Sequence, residues 1–296
     1  MTTAVALVSA RAARGLDEDM PPLLAAFAAA GAAAEIVDWD DETRDWARFD
    51  AVLLRSAWDY TERLTQFLAW VERTAAQTRL FNPAPVVRWS ADKHYLLELS
   101  RAALPVVSTA FVEPGEDAQQ RLRQFLVRYP CAELVVKPSV GAGSRDTRRH
   151  ASAATAEIVA HVGGLLAEQR SVMLQPYFAG VDTHGETALI FIDGRFSHAI
   201  RKGPQLPAGA PATSALFAPE QISIRVPDAD ELSVAERVLA HLPFGELLYA
   251  RVDLIRDSLH APCLLELELA EPSLYVSYAP GSAERFAKAA LARLGR

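Results

Sequence analysis

Short β-rich runs alternate with helical patterns from residue 3 to about residue 90. The runs at 3–9, 34–38 and 51–55 predict strands. The segments 17–30 and 62–76 predict helices, the second with its apolar residues on a single stripe. Strands that alternate with helices in this way are typical of a parallel sheet covered by helices. The sequence therefore predicts an α/β fold that begins with a small parallel layer.

A shift in composition marks a boundary near residue 90, because all five tryptophans lie at or before Trp89. Beyond it, Asp193-Gly194 separates two β-rich runs and predicts a hairpin over 187–201. The segment 203–219, here called the cover loop, is rich in Pro, Ala and Gly and predicts a mobile loop. The other patterns predict helices at 91–103, 121–129, 155–168, 230–241 and 282–294, and strands at 107–112, 133–138, 171–175, 247–255 and 262–269.

Charge and cysteine content limit the partners and the compartment. The 296 residues include 37 acidic against 30 basic side chains, a net charge of −7. We therefore expect neither nucleic acid nor an anionic membrane as a partner. No apolar stretch approaches the ~20 residues that span a bilayer, and the N-terminus lacks the charged leader of a signal peptide. Cys131 and Cys263 are too few for a disulfide framework and predict buried thiols in a reducing cytoplasm.

Lysine is scarce in this chain, because only four of the 30 basic residues are lysines. Arginine replaces lysine wherever either serves, so a remaining lysine indicates a position that needs a compact ammonium group. Chance is the alternative for any single one of them. The four lysines are Lys93, Lys137, Lys202 and Lys288.

Lys137 ends a predicted strand and is followed at 139–147 by a segment rich in glycine and serine, here called the glycine loop. Gly141 and Gly143 allow backbone N–H groups to approach phosphate oxygens, and Ser144 adds a hydroxyl donor. The Lys137 ammonium group supplies a point charge for a phosphate. The arrangement predicts a phosphate-binding loop, with an ordinary surface turn as the alternative. It matches neither the Walker-type nor the dinucleotide-binding signature.

Charged residues recur at every second position on two predicted strands. Residues two apart in a strand project to one face, so Arg251 lies beside Asp253, and Glu266 lies beside Glu268. Three carboxylates on one face repel one another unless a cation neutralises them, and oxygen-only ligand sets suit Mg²⁺ or Mn²⁺. The pattern predicts a divalent metal site, with a solvated hairpin face as the alternative.

An apolar segment follows the predicted strand at 171–175. The backbone at Gln175, Tyr177 and Phe178 is suited to pair with the edge of an adenine ring, and Asp182 lies within reach of ribose hydroxyls. This segment alone does not distinguish a nucleotide site from ordinary packing.

The order of these features resembles the ATP-grasp superfamily over the whole length of the chain. The resemblance implies an ATP-grasp fold, with an N-terminal α/β domain at 1–90, a small lid domain at 91–170 and a central mixed-sheet domain at 171–296. It also implies ATP and Mg²⁺ as cofactors, and a homodimer is compatible with it because dimers are frequent in the superfamily.

The same resemblance implies a role for each candidate residue. The implied contacts are Lys93, Lys137, Gly141, Gly143 and Ser144 with the nucleotide phosphates, Gln175, Tyr177 and Phe178 with adenine, Asp182 with ribose, Lys202 with the transferred phosphate, and Asp253, Glu266 and Glu268 with Mg²⁺. The last metal motif of the superfamily is more often Glu-x-Asn than Glu-x-Glu. Glu271 is therefore a rival to Glu268 as a metal ligand.

Three stretches further resemble the branch that contains the D-cycloserine-forming ligase, namely 55–60, 185–187 and 265–274. The first follows the third predicted strand, where α/β folds place ligand loops. Arg55 is suited to clamp a substrate carboxylate bidentately, Asp59 is suited to bind an amine, and Tyr60 lies beside them. The alternative is a structural cluster of arginine and tryptophan.

The resemblance implies a ligase that joins a carboxylate to an amine through an acyl phosphate. Lys202 would offset charge on the transferred phosphoryl group, and Arg251 would stabilise the oxyanion or hold the substrate carboxylate. In this branch both groups belong to one amino-acid-like molecule, O-ureido-D-serine, and the product is a ring. The alternatives are a ligase that joins two amino-acid-like substrates, a phosphotransferase and a non-catalytic nucleotide-binding module.

Overall fold

The computed structural model describes residues 2–295, and its first sheet is parallel. Its strands are β1 (Ala4–Ser9), β2 (Ala33–Asp38), β3 (Ala51–Ser56) and β4 (Arg79–Phe81), and its helices are α1 (Met20–Ala29) and α2 (Leu64–Ala75). The strand order β2-β1-β3-β4 confirms the predicted parallel layer. The sequence pattern does not predict β4, since three residues are too few to show a period.

Lys93 lies in a turn between two short helices and not within the single helix predicted over 91–103. The helices are α3 (Ala84–Ser90) and α4 (Tyr95–Arg101). The prediction is wrong here because the Asp92 carboxylate accepts the N–H of His94 at 3.1 Å and closes a local turn. The N–H of Lys93 donates to Ser139 O at 3.0 Å, which joins this turn to the glycine loop.

The second sheet is antiparallel, with the order β5-β8-β6-β7. It contains β5 (Ala110–Val112), β6 (Glu133–Pro138), β7 (Arg148–Ala151) and β8 (Val172–Pro176), covered by α5 (Ala118–Arg128) and α6 (Thr155–Ala167). The predicted boundary at 170/171 separates β8 from this sheet. Because β8 pairs with both β5 and β6, we propose that the lid domain extends through β8.

The third sheet has the order β11-β10-β9-β12-β13 and carries the C-terminal helices. Its elements are α7 (Val181–His184), β9 (Glu186–Ile192), β10 (Arg195–Lys202), β11 (Ile222–Arg225), α8 (Ala229–His241), β12 (Tyr249–Arg256), β13 (Pro262–Glu268) and α9 (Ser282–Arg293). The hairpin of β9 and β10 turns at Asp193-Gly194, as predicted. Its strand pairs are antiparallel, and the mixed character predicted for this sheet is limited to an isolated parallel bridge between Val106 and Leu264.

A buried asparagine joins the first sheet to the third. Asn82 follows β4, and its Nδ2 donates to Tyr249 O at 2.8 Å and to Leu269 O at 2.7 Å. Its Oδ1 accepts the N–H of Leu248 at 3.0 Å, so three of the four hydrogen-bonding positions of its side-chain amide are used. These bonds hold the third sheet against the carboxyl ends of the parallel strands, where a site is expected.

Two expectations from composition are tested by the structure. Cys131 and Cys263 are both free, but only Cys263 is buried, and Cys131 is half-buried beside Ser152. The prediction of two buried thiols is therefore wrong for Cys131, which precedes β6 and packs only partly buried against the core of the second sheet. Within residues 2–295, every helix is too short or too polar to cross a membrane.

Candidate active site

A cavity of about 600 Å³ is lined by residues of the second and third sheets and by the loops that follow β1, β3 and β6. The predicted site residues on its walls are Tyr60, Lys93, Lys137, Gly141, Gly143, Ser144, Gln175, Tyr177, Phe178, Lys202, Arg251, Asp253, Glu266, Glu268 and Glu271. Three of the four lysines and all the predicted metal ligands therefore face one space. Their contacts with a nucleotide or a metal stay predictions.

The ladder of β12 and β13 places its polar side chains on one wall of the cavity. Arg251 lies opposite Glu268, and Asp253 lies opposite Glu266, while Leu267 between them is buried in the core. Arg251 holds Asp253 bidentately, with Nε 2.8 Å from Oδ1 and Nη2 2.8 Å from Oδ2. Arg251 also contacts Glu268. The predicted same-face arrangement is confirmed.

Lys202 joins this wall from β10. Its Nζ lies 2.9 Å from Asp253 Oδ2 and 2.7 Å from Glu186 Oε1, and the side chain is buried. The sequence pattern assigns no role to Glu186. The signal that identifies it is its position at the start of the predicted hairpin, directly opposite Lys202 in the β9–β10 ladder.

Two lysines share one carboxylate beside the glycine loop. Lys93 Nζ lies 3.0 Å from Glu266 Oε1 and donates to Gly141 O at 2.6 Å. Lys137 Nζ lies 4.0 Å from Glu266 Oε2, and burial lowers the pKa of Lys137. Two ammonium groups against one carboxylate leave positive charge next to a glycine-rich turn, which suits a phosphate.

The five carboxylates on the wall formed by the third sheet and its following loop fall into two groups by their pKa. Burial raises the pKa of Glu186, Glu268 and Glu271, each to about 7. Burial also acts to raise the pKa of Asp253 and of Glu266, but the neighbouring lysine and arginine side chains outweigh it and lower both values. Asp253 and Glu266 are therefore anions at neutral pH, while the other three are poised to lose protons when positive charge enters.

The predicted metal ligands share the cavity without forming a ready-made metal site. Within residues 2–295, no group of three or more His, Cys, Asp or Glu side chains is arranged to hold a metal ion. The reason is that Asp253 and Glu268 face Arg251, and Glu266 faces Lys93. The donor set consists of carboxylate oxygens alone and fits Mg²⁺ or Mn²⁺, provided that these ion pairs separate.

The predicted adenine and ribose contacts lie near the end of β8. Gln175 is buried, and its Nε2 donates to Thr109 Oγ1 at 2.9 Å. Asp182 does not line the cavity, because Arg149 Nη1 contacts both of its carboxylate oxygens at 3.0 Å and the Tyr177 hydroxyl donates to it at 2.6 Å. The structure therefore engages Asp182 in an ion pair and does not bring it to the predicted ribose position.

The glycine loop and the cover loop meet beside the cavity. The N–H of Ala218 donates to Gly143 O at 2.8 Å, and Ser144 Oγ donates to Gln205 Oε1 at 2.8 Å. Gly143 has a φ of +61°, and a Cβ at this position would lie 2.5 Å from Leu216 O. Glycine is therefore required where the two loops touch.

The structure does not bring Arg55 and Asp59 to the cavity lining. Arg55 is fully buried outside the cavity lining, where it donates to Leu54 O and Pro272 O. Asp59 accepts a hydrogen bond from Trp39 Nε1 at 2.8 Å and pairs with Arg63. Asp59 is fully paired within the chain. Arg55 is held by two backbone carbonyls, although its buried Nε has no hydrogen-bond partner among the described residues. Both placements correspond to the structural alternative. Tyr60 does line the cavity.

Three comparisons with known proteins all find similarity to the same protein. A family profile described as "D-cycloserine synthetase DcsG, N-terminal domain" matches residues 5–82. The chain is 44% identical over 297 residues to the cycloserine biosynthesis protein DcsG of Streptomyces lavendulae, covering 98% of each. The crystal structure of D-cycloserine synthetase DcsG has a TM-score of 0.92 at 42% identity, covering 98% of this chain and 99% of that one.

A more distant likeness concerns the fold alone. A structure of the ATP-grasp ligase PsnB, complexed with a phosphomimetic variant of its minimal precursor, Mg and ADP, has a TM-score of 0.64 at 17% identity. The match covers 100% of this chain and 99% of that chain. The three-sheet arrangement therefore extends well beyond close relatives.

Proposed function

Because the chain belongs to the family of D-cycloserine synthetase DcsG, we propose that it closes the ring of D-cycloserine from O-ureido-D-serine. The chain is an ATP-grasp ligase, an enzyme class that joins a carboxylate to an amine with the consumption of ATP. The identity of 44% over nearly the whole chain supports the ring-forming reaction in particular. The observation that carries the proposal is the cavity in which three buried lysines and Arg251 meet a row of carboxylates.

The phosphate-facing end of the nucleotide site is proposed at Lys93, Lys137 and the glycine loop. The Lys93 ammonium holds the carbonyl of Gly141, so the side chain also shapes the loop that receives the phosphates. A triphosphate would replace Glu266 as the counter-charge of the two lysines. Glu266 would then be released towards a metal ion.

The divalent cation is proposed to lie on Asp253, Glu266 and Glu268, with Glu271 as a rival to Glu268. A bound Mg²⁺ supplies neutralisation of phosphate charge. The side chains of this wall would have to exchange their present ion pairs for the ion, and the raised pKa of Glu268 makes that exchange release protons.

The proposed reaction begins when the substrate carboxylate attacks the γ-phosphate of ATP, which gives an acyl phosphate and ADP. The nitrogen bonded to the side-chain oxygen then attacks the activated carbonyl carbon, phosphate leaves, and the ring forms with the carbamoyl group still on that nitrogen. Hydrolysis of the carbamoyl group by one water then releases carbon dioxide and ammonia and gives D-cycloserine. Lys202 is proposed to stabilise the moving phosphoryl group, and Arg251 to stabilise the oxyanion or hold the carboxylate. The contact between the glycine loop and the cover loop would exclude water, which hydrolyses acyl phosphates.

The proposed partner is a small amino-acid-like molecule, in agreement with the size of the cavity. We also propose a cytoplasmic location, because the reaction draws on ATP.

The test is to incubate the enzyme with ATP, Mg²⁺ and O-ureido-D-serine, and to follow ADP together with product mass. We expect ADP to form together with D-cycloserine. A product that contains two amino-acid units would instead identify an intermolecular ligase, and a stable phosphorylated product a phosphotransferase. ATP binding without ADP release over a panel of amino acids would indicate a non-catalytic module. A reaction without ATP is the control for spontaneous ring closure.

A further inference from the structure

Asp17 is a cavity residue with unused hydrogen-bonding capacity. It lies between β1 and α1, lines the cavity and is only 7% exposed. Its Oδ1 accepts the N–H of Asp19 at 3.0 Å. Within residues 2–295, its Oδ2 is buried and has no hydrogen-bond partner. Buried carboxylate oxygens in folded proteins are nearly always paired, so Asp17 has an acceptor position that a ligand can use.

The charges around Asp17 favour a cationic ligand. Asp19 is its neighbour, and Arg55 Nη2 lies 3.8 Å from Asp19 Oδ2. The Asp19 carboxylate also accepts three backbone N–H groups from residues 274–276. This buried cluster contains two carboxylates and one guanidinium, and its charge is therefore net negative. A cation that enters the cavity beside Asp17 would balance it.

Three other acids of the cavity are already matched by cations of the chain. Asp253 has Arg251, Glu266 has Lys93, and Glu268 shares Arg251 with Asp253. Asp17 differs from these three because its buried Oδ2 accepts no hydrogen bond among the described residues. This oxygen is therefore open to a donor that does not belong to the chain.

Aromatic side chains share the cavity with Asp17. They are Trp58, Tyr60, Tyr275 and Tyr278. A carboxylate together with aromatic rings is the usual setting for a primary ammonium group, which has three donors and is attracted to ring faces.

We propose that Asp17 binds the α-ammonium group of the amino-acid substrate and makes the enzyme selective for substrates that carry one. The inference rests on the proposed function in that the substrate is amino-acid-like. It assigns to Asp17 the amine contact that the sequence pattern predicts for Asp59, whose carboxylate is bound by Trp39 and Arg63.

The test compares Asp17→Asn with Glu18→Gln, an equal charge change at the exposed neighbouring residue, which lines the same cavity. Two substrates are used, namely O-ureido-D-serine and its analogue in which hydrogen replaces the α-amino group. Asp17→Asn should lower kcat/KM for O-ureido-D-serine roughly 10- to 100-fold, mainly through KM, the range expected for a lost charged hydrogen bond. The KM for ATP and the reaction of the analogue should change less than about threefold on the same reasoning. Asp17→Glu, which keeps the charge, should recover part of the preference for the amine.

Equal losses with both substrates in Asp17→Asn would refute the inference, because they would mean a structural role. The same loss of preference in Glu18→Gln would also refute it. If the wild type turns over neither substrate, the proposed function fails. The inference about Asp17 is then tested separately, by calorimetry of D-serine binding in the presence of AMPPNP. Binding that Asp17→Asn abolishes supports the inference. Equal binding by the variant, or no binding by the wild type, overturns it.

Discussion

Replacing Asp253 by asparagine tests whether the buried charge network holds the cavity together. The Asp253 carboxylate is 2% exposed and accepts hydrogen bonds from Arg251 and from Lys202, the latter at 2.9 Å. Asparagine keeps the size of the side chain and removes its charge. Two buried cations then face a neutral amide, half of which is itself a donor.

The expected loss of stability follows from the cost of breaking a buried ion pair, about 3–5 kcal/mol. Glu186 still pairs with Lys202, and Glu268 still pairs with Arg251, so the lower end of this range applies, about 3 kcal/mol. For a chain of this size that corresponds to a fall in Tm of about 5 °C. Turnover should fall at least about 100-fold, because the variant loses a metal ligand and the partner that orients Lys202.

Thermal unfolding and ADP release measure these two effects separately. Glu236→Gln on α8 is a suitable control, because Glu236 is exposed and does not line the cavity. This substitution removes the same charge as Asp253→Asn. The control should retain the wild-type Tm and turnover. If Asp253→Asn melts within 1 °C of the wild type, the argument from buried charge is refuted. Turnover near the wild-type rate would remove Asp253 from the proposed metal site.

Three further predictions address the loops, the pH dependence and the nucleotide. Gly143→Ala should separate the glycine loop from the cover loop and increase the amount of ADP formed per molecule of product. Gly209→Ala, also at positive φ but facing open space, should leave this ratio unchanged. The same ratio of ADP to product in both variants would refute the loop contact as a water barrier. Burial raises the pKa of Glu271 to about 7, so the stability contributed by its protonated form is present below about pH 4.5 and is lost as pH rises through 7. The wild-type Tm should therefore fall from pH 6 to pH 8, and Glu271→Gln should reduce this change of Tm with pH. An identical change in the variant would contradict the argument. Lys137→Ala should weaken ATP binding by about 1.5–3 kcal/mol in calorimetry. Lys288→Ala, at an exposed position of α9, should leave ATP binding unchanged. Equal ATP affinities in the two variants would argue against the nucleotide site.

The sequence alone predicts the parallel N-terminal layer, the β9–β10 hairpin and the shared strand face of Arg251 and Asp253. These features depend on period and on neighbours two residues apart, which a single chain displays directly. The order of the scarce lysines and the acidic strands indicates one shared site through the resemblance to the ATP-grasp superfamily. The errors are local and have local causes, such as the Asp92 turn that interrupts the predicted helix around Lys93.

Only the tertiary structure decides which polar groups already have partners. Arg55 and Asp59 have the right chemistry for a substrate, yet the chain itself engages them, Arg55 through Pro272 O and Asp59 through Trp39. Asp17 carries no motif, and its unpaired oxygen is visible only once the chain is folded around it. The physical reason is that desolvation and charge pairing depend on neighbours far away in sequence, whereas strand and helix periods depend on neighbours nearby.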